Sequence, residues 1–376
     1  MTDLPWQPRI LPADLSAADL ERTLGAGAVR ERHDTLREQL VELVETRHPD
    51  RDLDPAELDA AIATLLDGSP LATYGNLVHY PWSGRLLRLL PEAEFRELRT
   101  SRNRHKITTT EQDRLAALSV AIVGLSVGRA TAVTLVLEGI ARHIRLADFD
   151  VLGLSNLNRL RAGLFDLGLP KTVSVARELY EIDPYLHLEL FSEGVTDANL
   201  PALFATGDGG TIDLLFEECD DLAMKVRLRE EARRRRVPVL METSDRGMLD
   251  VERFDLEPDR PLFHGLVGDL DASRLAGLTT HEKVPIVLKI LGAETLSSRM
   301  AASLVDIDTT LKTWPQLGSA IAVGGALNAI AARHIALGGW TTSGRFHVDV
   351  EALLTGGALT PTQRRTRRRA VRQSAA

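Results

Sequence analysis

From Ser119 onward, short apolar runs alternate with amphipathic stretches. βαβ units impose this pattern when each strand lies in a mainly parallel sheet and each helix covers one of its faces. The runs SVAIVG, HIRLAD, HLELFS, IDLLFEE and VPVLME predict five strands, and residues 129–138, 172–182, 200–205 and 223–235 predict the helices between them. MLDVERFDL predicts one more strand. The chain then reads as irregular until two or three helices between Glu282 and Leu337, with a last strand at RFHVDV. Upstream the pattern differs. Val29, Leu36, Leu40, Leu43 and Val44 stand at helical spacing and predict a helix over 28–45. LVHYPWSGRLLRLL predicts a strand pair about Ser83 and Gly84, then a helix. The expected architecture is α/β, with a mostly helical N-terminal satellite over residues 1–100, a mainly parallel-sheet domain over 101–358 and a short tail over 359–376.

Composition narrows the function classes. At 376 residues, 44% apolar and 26% charged, the chain has material for a large core and a smaller companion unit. A formal charge of -8 argues against nucleic acid as a partner, because that task needs a cationic face to displace counterions. The tail RRTRRRAVR, Arg364–Arg372, is the cationic exception; its composition cannot bury a core, and it reads as disordered with no assigned role. With Cys219 as its one cysteine, the chain can form neither an internal disulfide nor a four-thiolate zinc site, which suits a reducing compartment. No stretch reaches the ~18 apolar residues of a membrane span, and the N-terminus lacks the pattern of a secretory signal. A cytoplasmic protein with no membrane partner is expected.

The first strand-to-helix turn of the α/β domain is Gly124-Leu-Ser126-Val-Gly128. Glycine lets the backbone approach a ligand, and the free amides of the following helix favour an anion, so a phosphate turn and a plain tight turn both fit. Asp148 ends the second strand, where a carboxylate can accept both ribose hydroxyls of a nucleotide. NAD and ATP satisfy these two features equally. The next segment separates them: Ser155, Asn156, Asn158, Arg159 and Lys171 gather donors and cations on one connection, as a triphosphate demands. Turn capping by Asn and Ser, with solvated arginines, is the alternative. The fourth strand ends Glu217-Glu218-Cys219-Asp220-Asp221, where Asp220 can hold Mg²⁺, and where either aspartate can instead cap the next helix.

DFDVLGLSNLNR, GLPK and ECDDLAMKVRLREEARRRRVPVL follow one another in the order of the DxDxVxxSNLxRQ, GxPK and xxDNxxxR blocks of the ThiF/MoeB/ubiquitin-activating superfamily, and at nearly the same separations. The chain resembles that superfamily over about residues 101–254. The resemblance implies a Rossmann-like sheet of the ThiF type that binds ATP and Mg²⁺. It implies that Asp148 binds the ribose, Ser155 and Asn156 the phosphate region, Arg159 and Lys171 the outer phosphates, and Asp220 the metal. Arg102-Asn103-Arg104 resembles the RYxRQ element that reaches across a homodimer, which makes Arg104 the candidate arginine finger in the partner's site. In its details the chain is most similar to actinobacterial ThiF-like proteins that carry an N-terminal helical extension and are often fused to a nitroreductase-like domain.

There are departures. The turn is about one residue shorter than the usual GxGGxG, Leu160 replaces a glutamine, and Asp221 and Lys225 stand where Asn and Arg are usual. The paired CxxC motifs are absent, as is a cysteine after residue 240, so no thioester relay of the usual kind is expected. Cys219 reads as structural. The implied reaction is attack of a substrate carboxylate on the α-phosphorus of ATP, giving an acyl-adenylate for capture by a nucleophile. His264 and His281 are candidates to handle a proton during capture. Rival readings are a nicotinamide or flavin oxidoreductase on the same sheet, and a non-catalytic nucleotide-binding partner of a second enzyme.

Overall fold

The computed structural model describes residues 4–268, 272–275, 278, 280–303, 306, 307 and 309–355, with Arg365 and Arg369. The basic tail otherwise lies outside the described residues, as does the side chain of His281. The chain forms two compact units, one of Met1–Asp113 with Ala176–Leu186, the other of Arg114–Val175 with His187–Ala376.

In the first unit the elements are β1 (Arg9–Pro12), α1 (Ala17–Leu24), β2 (Glu31–Asp34), α2 (Leu36–Arg47), α3 (Pro55–Leu66), β3 (Asn76–Tyr80), β4 (Arg85–Leu89) and α4 (Glu92–Arg99). Helices dominate, and the strand pair β3–β4 with its following helix stands where the apolar run placed it. The helix expected over 28–45 is shorter: α2 begins at Leu36, and Glu31–Asp34 form an exposed strand. These four polar residues pair in parallel with Arg85–Arg88, so their backbone is satisfied by β4 without any apolar signal. They complete a sheet of order β1-β3-β4-β2. Leu36, Leu40, Leu43 and Val44 are buried with Ile62 and Leu90, the burial that drives α2 onto its neighbours. A capping box between Asp54 and Glu57, with Pro55 in the first turn, sets the start of α3.

Helix α5 (Thr109–Ala116) crosses the boundary. The second unit then reads β5 (Ser119–Val123), α6 (Gly128–Leu137), β6 (His143–Ala147), α7 (Lys171–Ile182), β7 (His187–Phe191), α8 (Leu200–Phe204), β8 (Leu214–Glu217), α9 (Leu222–Arg235), β9 (Val239–Thr243) and β10 (Met248–Glu252). It ends with α10 (Ala272–Leu275), α11 (Thr280–Leu291), α12 (Ser298–Ser303), α13 (Gly318–Ala336), β11 (Gly344–His347) and α14 (Val350–Leu354). The later residues of α7 are the ones grouped above with the first unit.

The seven strands run in the order β11-β10-β9-β8-β5-β6-β7, with β5 to β9 mutually parallel and β10 and β11 antiparallel at one edge. Every residue of β5 is buried, as a central parallel strand covered on both faces requires. The chain leaves β5 toward β6 and β7, then returns to place β8 on the other side of β5. The carboxyl ends of β5 and β8 therefore flank the switch in strand order, where open α/β sheets form their ligand crevice. Helix α13 closes over α6 through Gly325, where a Cβ atom would come 2.6 Å from the backbone carbon of Ala130.

Candidate functional site

On the β5 side of the crevice, Gly124 adopts φ 92°, and a Cβ there would stand 2.4 Å from the carbonyl oxygen of Glu218. Both its conformation and its close approach to the β8 end demand glycine. The turn enters α6 at Gly128, whose Cβ would meet the Ile122 side chain at 2.6 Å. Ser126 is half-buried between these glycines.

Asp148 follows β6 and holds the turn directly. One carboxylate oxygen accepts the Leu125 N–H at 2.7 Å, the other the Asp150 N–H at 2.8 Å. Burial raises the Asp148 carboxyl above its ordinary range, and the Lys171 ammonium and these two amides oppose that. Lys171 is the first residue of α7, and its side chain is 6% exposed. Its Nζ lies 2.6 Å from Asp150 Oδ2, 3.8 Å from Asp148 Oδ2 and 3.5 Å from Ser126 Oγ. Gly124, Ser126, Gly128, Asp148 and Lys171 thus form one assembly.

The connection from β6 to α7 carries the other predicted residues. Asn156 closes a turn, its side-chain oxygen accepting the Gly153 N–H at 2.9 Å, so the capping alternative holds for this residue and its amide NH₂ is left as the donor. Ser155 is exposed. Arg159 is half-buried, donates to Asn158 Oδ1 at 2.9 Å, and faces the charge of Asp220, which opposes the lowering of its guanidinium by burial. Asn158 in turn donates to the Gln316 carbonyl at 2.8 Å, tying this connection to the segment before α13.

At the β8 end the two aspartates separate. Asp221 is the N-cap of α9 and accepts the Met224 N–H at 2.7 Å. Asp220 is exposed and accepts no hydrogen bond among the described residues. No cluster of three metal-binding side chains occurs among the described residues. The donor set is therefore the single carboxylate of Asp220 beside the glycine turn. That suits Mg²⁺, which keeps several waters and takes one or two carboxylates together with substrate phosphates. Behind Asp220 lies a buried ionic network. Glu217 bonds Lys225 at 2.9 Å and also Arg229, which reaches Glu252 at 2.5 Å. Burial alone would raise the Glu217 carboxyl; the two cations hold it below its ordinary range. The Cys219 thiol donates to Glu217, and burial pushes its pKa well up, the opposite of what a nucleophilic thiolate needs.

A cavity of about 150 Å³ opens at this crevice, touching Ser126 on the β5 side, Glu218 and Asp220 on the β8 side, and Thr243 at the end of β9 with Ser244 and Asp245 beyond it. Its apolar wall includes Leu222, Met241, Ile290 and Trp314. Glu218 and Glu242 on its other wall were not foreseen as functional; a glutamate inside the apolar run VLMET was the available signal. Burial raises Glu218 to about 8 and Glu242 to about 9, the latter helped by the charge of Glu218. His264 is not on this wall. Its Nε2 meets Asp250 at 3.0 Å and its Nδ1 accepts from Arg260 at 2.9 Å, so both ring nitrogens are engaged in the ionic network. Arg104 belongs to the N-terminal unit, where its exposed guanidinium lies 3.8 Å from Glu97 and 3.5 Å from the Thr46 carbonyl.

The model of the ThiF family matches residues 100–348. The chain is 51% identical over 276 residues to the uncharacterized protein MT1398 of Mycobacterium tuberculosis, a match covering 73% of this chain and 38% of that protein. It is 27% identical over 158 residues to the molybdopterin-synthase adenylyltransferase of Haemophilus influenzae, covering 41% of this chain and 62% of that protein. The chain thus spans less than two thirds of the length of either relative. Among solved structures, Escherichia coli tRNA N6-threonylcarbamoyladenosine dehydratase, TcdA, in complex with ATP is 16% identical, with 64% of this chain and 95% of that chain covered and a TM-score of 0.46.

Proposed function

The chain belongs to the ThiF family, and from that premise we propose that it adenylates a substrate carboxylate with ATP and Mg²⁺, passing the acyl-adenylate to an external nucleophile. One observation carries the reading. The glycine turn with Ser126 and Lys171 and the free carboxylate of Asp220 flank the switch in strand order, with one cavity touching Ser126 and Asp220.

A carboxylate oxygen forms a bond to the α-phosphorus, the bond from that phosphorus to its bridging oxygen breaks, and pyrophosphate leaves with the electron pair. The amides of the Gly124–Gly128 turn and the start of α6 receive phosphate oxygens. Asp148 holds the turn and accepts from the ribose. Lys171 and Arg159, with Ser155 and Asn156, compensate the charge that moves onto the pyrophosphate. When bound at Asp220, Mg²⁺ supplies further neutralisation of the phosphate oxygens. Capture falls to an external amine, thiol or hydroxyl, because the Cys219 thiol is held protonated.

The working form is a homodimer in which Arg104 enters the partner's site. Support comes from the exposed apolar side chains of Phe149, Val151, Leu154, Leu164 and Phe165 along the β6–α7 connection, surface that a second copy would cover. Replacing Lys171 by alanine tests the site. Equilibrium titration with ATP and Mg²⁺ should show affinity reduced by at least about tenfold, since a charge-assisted contact in a desolvated site is lost. Unchanged affinity contradicts the assignment of Lys171.

A further inference from the structure

The two walls of the cavity differ in chemistry. One is apolar; the other presents Glu218, Asp220, Glu242 and Asp245. Among the described residues lining it the one cation is Lys225, and its ammonium is already bonded by Glu217 at 2.9 and 3.2 Å. Arg159 faces Asp220 and Lys225 acts on Glu218 from its bond to Glu217, but no cation faces Glu242 among the described residues.

Glu242 is the most constrained of these groups. It is 3% exposed, and neither carboxyl oxygen has a hydrogen-bond partner among the described residues. Across from it is Gly324, where a Cβ would come 2.2 Å from the carboxyl group. The helix makes room for this acid. An unpartnered buried carboxyl costs stability, and an apolar side chain of similar size would fill the space without that cost. Glu218 beside it accepts the Glu242 N–H at 3.1 Å and the Asn328 amide at 2.7 Å, while the Asn328 side-chain oxygen is itself without a partner among the described residues. Glu242, with its unpartnered carboxyl, and Glu218 beside it stand on one wall of a cavity whose other wall is apolar.

We propose that the Glu218–Glu242 pair receives a cationic hydrogen-bond donor, so that the substrate of this cavity carries an apolar body and an ammonium group as well as its carboxylate. The carboxylate end of this substrate rests on the adenylation reading; the ammonium end rests on the cavity wall alone. An ammonium brings three donors to acceptors that lack them. The groups that face the pair are few. Glu217 and Lys225 are bonded to each other, and α13 and α6 present Gly324, Asn328 and Thr131, none of them charged. An arriving ammonium favours the ionised form of the unpartnered Glu242 carboxyl, so binding sends the Glu242 proton to the buffer.

The test is calorimetric titration of the full chain at pH 7 with hexylammonium and with hexan-1-ol, in two buffers of different ionisation heat. Wild type, Glu242→Gln and Glu218→Gln are compared. Hexylammonium should bind the wild type at least about tenfold more tightly than the alcohol, with net proton release, and the preference should shrink in the Gln variants. Equal binding of the two probes overturns the proposal, as does a preference that both Gln variants retain in full. ATP with Mg²⁺ is titrated into the same wild-type protein. If ATP binds while the probes do not differ, the ammonium inference alone fails; if ATP does not bind, the adenylation reading fails whatever the probes do.

Discussion

Asp220 and Asp221 are adjacent residues of one type that the fold puts to different uses. The Asp221 carboxylate takes up a free amide at the start of α9, whereas Asp220 accepts no hydrogen bond among the described residues. Asp221→Ala should therefore lower unfolding stability by about 1 kcal/mol, and Asp220→Ala should leave it nearly unchanged, as urea denaturation would report. The pattern of the chain could not divide these roles, because both positions satisfy the requirements of an N-cap and only backbone geometry decides. Glu242 gives a second prediction. The unfolded chain loses this proton in the ordinary carboxylate range, while the folded chain keeps it to about 9. Across that window the unfolded state binds fewer protons, so stability falls as pH rises, by up to about 1.4 kcal/mol per pH unit for this one proton. Glu242→Gln removes that slope. Denaturation at pH 5.5 and 8.5 should show the variant gaining on the wild type at the higher pH; parallel curves would contradict a protonated Glu242.

Among the elements, the central strands were legible because burial on both faces leaves near-continuous apolar runs, as in SVAIV, and the intervening helices because each must turn an apolar stripe to the sheet. Strand β2 was not legible: Glu31–Asp34 are exposed on every side chain and owe their conformation to pairing with β4. Helices α11 to α13 fall where two or three were expected and α10 falls in the stretch read as irregular, but nothing in their periodicity announces that α13 packs on α6 through glycine. Gly325 supplies a test of that packing. Helix propensity alone would favour alanine there by up to about 1 kcal/mol. The overlap with the Ala130 backbone should outweigh it, because rigid backbone on both sides leaves no flexible atom to yield, and a net loss of about 1–3 kcal/mol is expected. A Gly325→Ala variant that is more stable in urea would show that α6 and α13 can separate at no cost.

For the molecule as a whole, the family resemblance rested on about 150 residues that carry ordered blocks of charged and glycine positions, and the family match covers that region. The cavity's acidic wall was invisible by the same logic, since Glu218 and Glu242 are distant in sequence and meet only because β8 and β9 are neighbours. The homodimer proposal makes the exposed connection between β6 and α7 an interface. Phe165→Glu should then shift the protein toward monomer in sedimentation experiments, with loss of any activity that needs the partner's Arg104; a wild-type monomer would overturn it.

The most direct test of adenylation is calorimetric titration of wild type and Asp220→Ala with ATP and Mg²⁺, and of the wild type with NADH. Micromolar binding of ATP that weakens in the variant, with no heat from NADH, is the predicted result. Binding of NADH, or of neither nucleotide, would contradict the account.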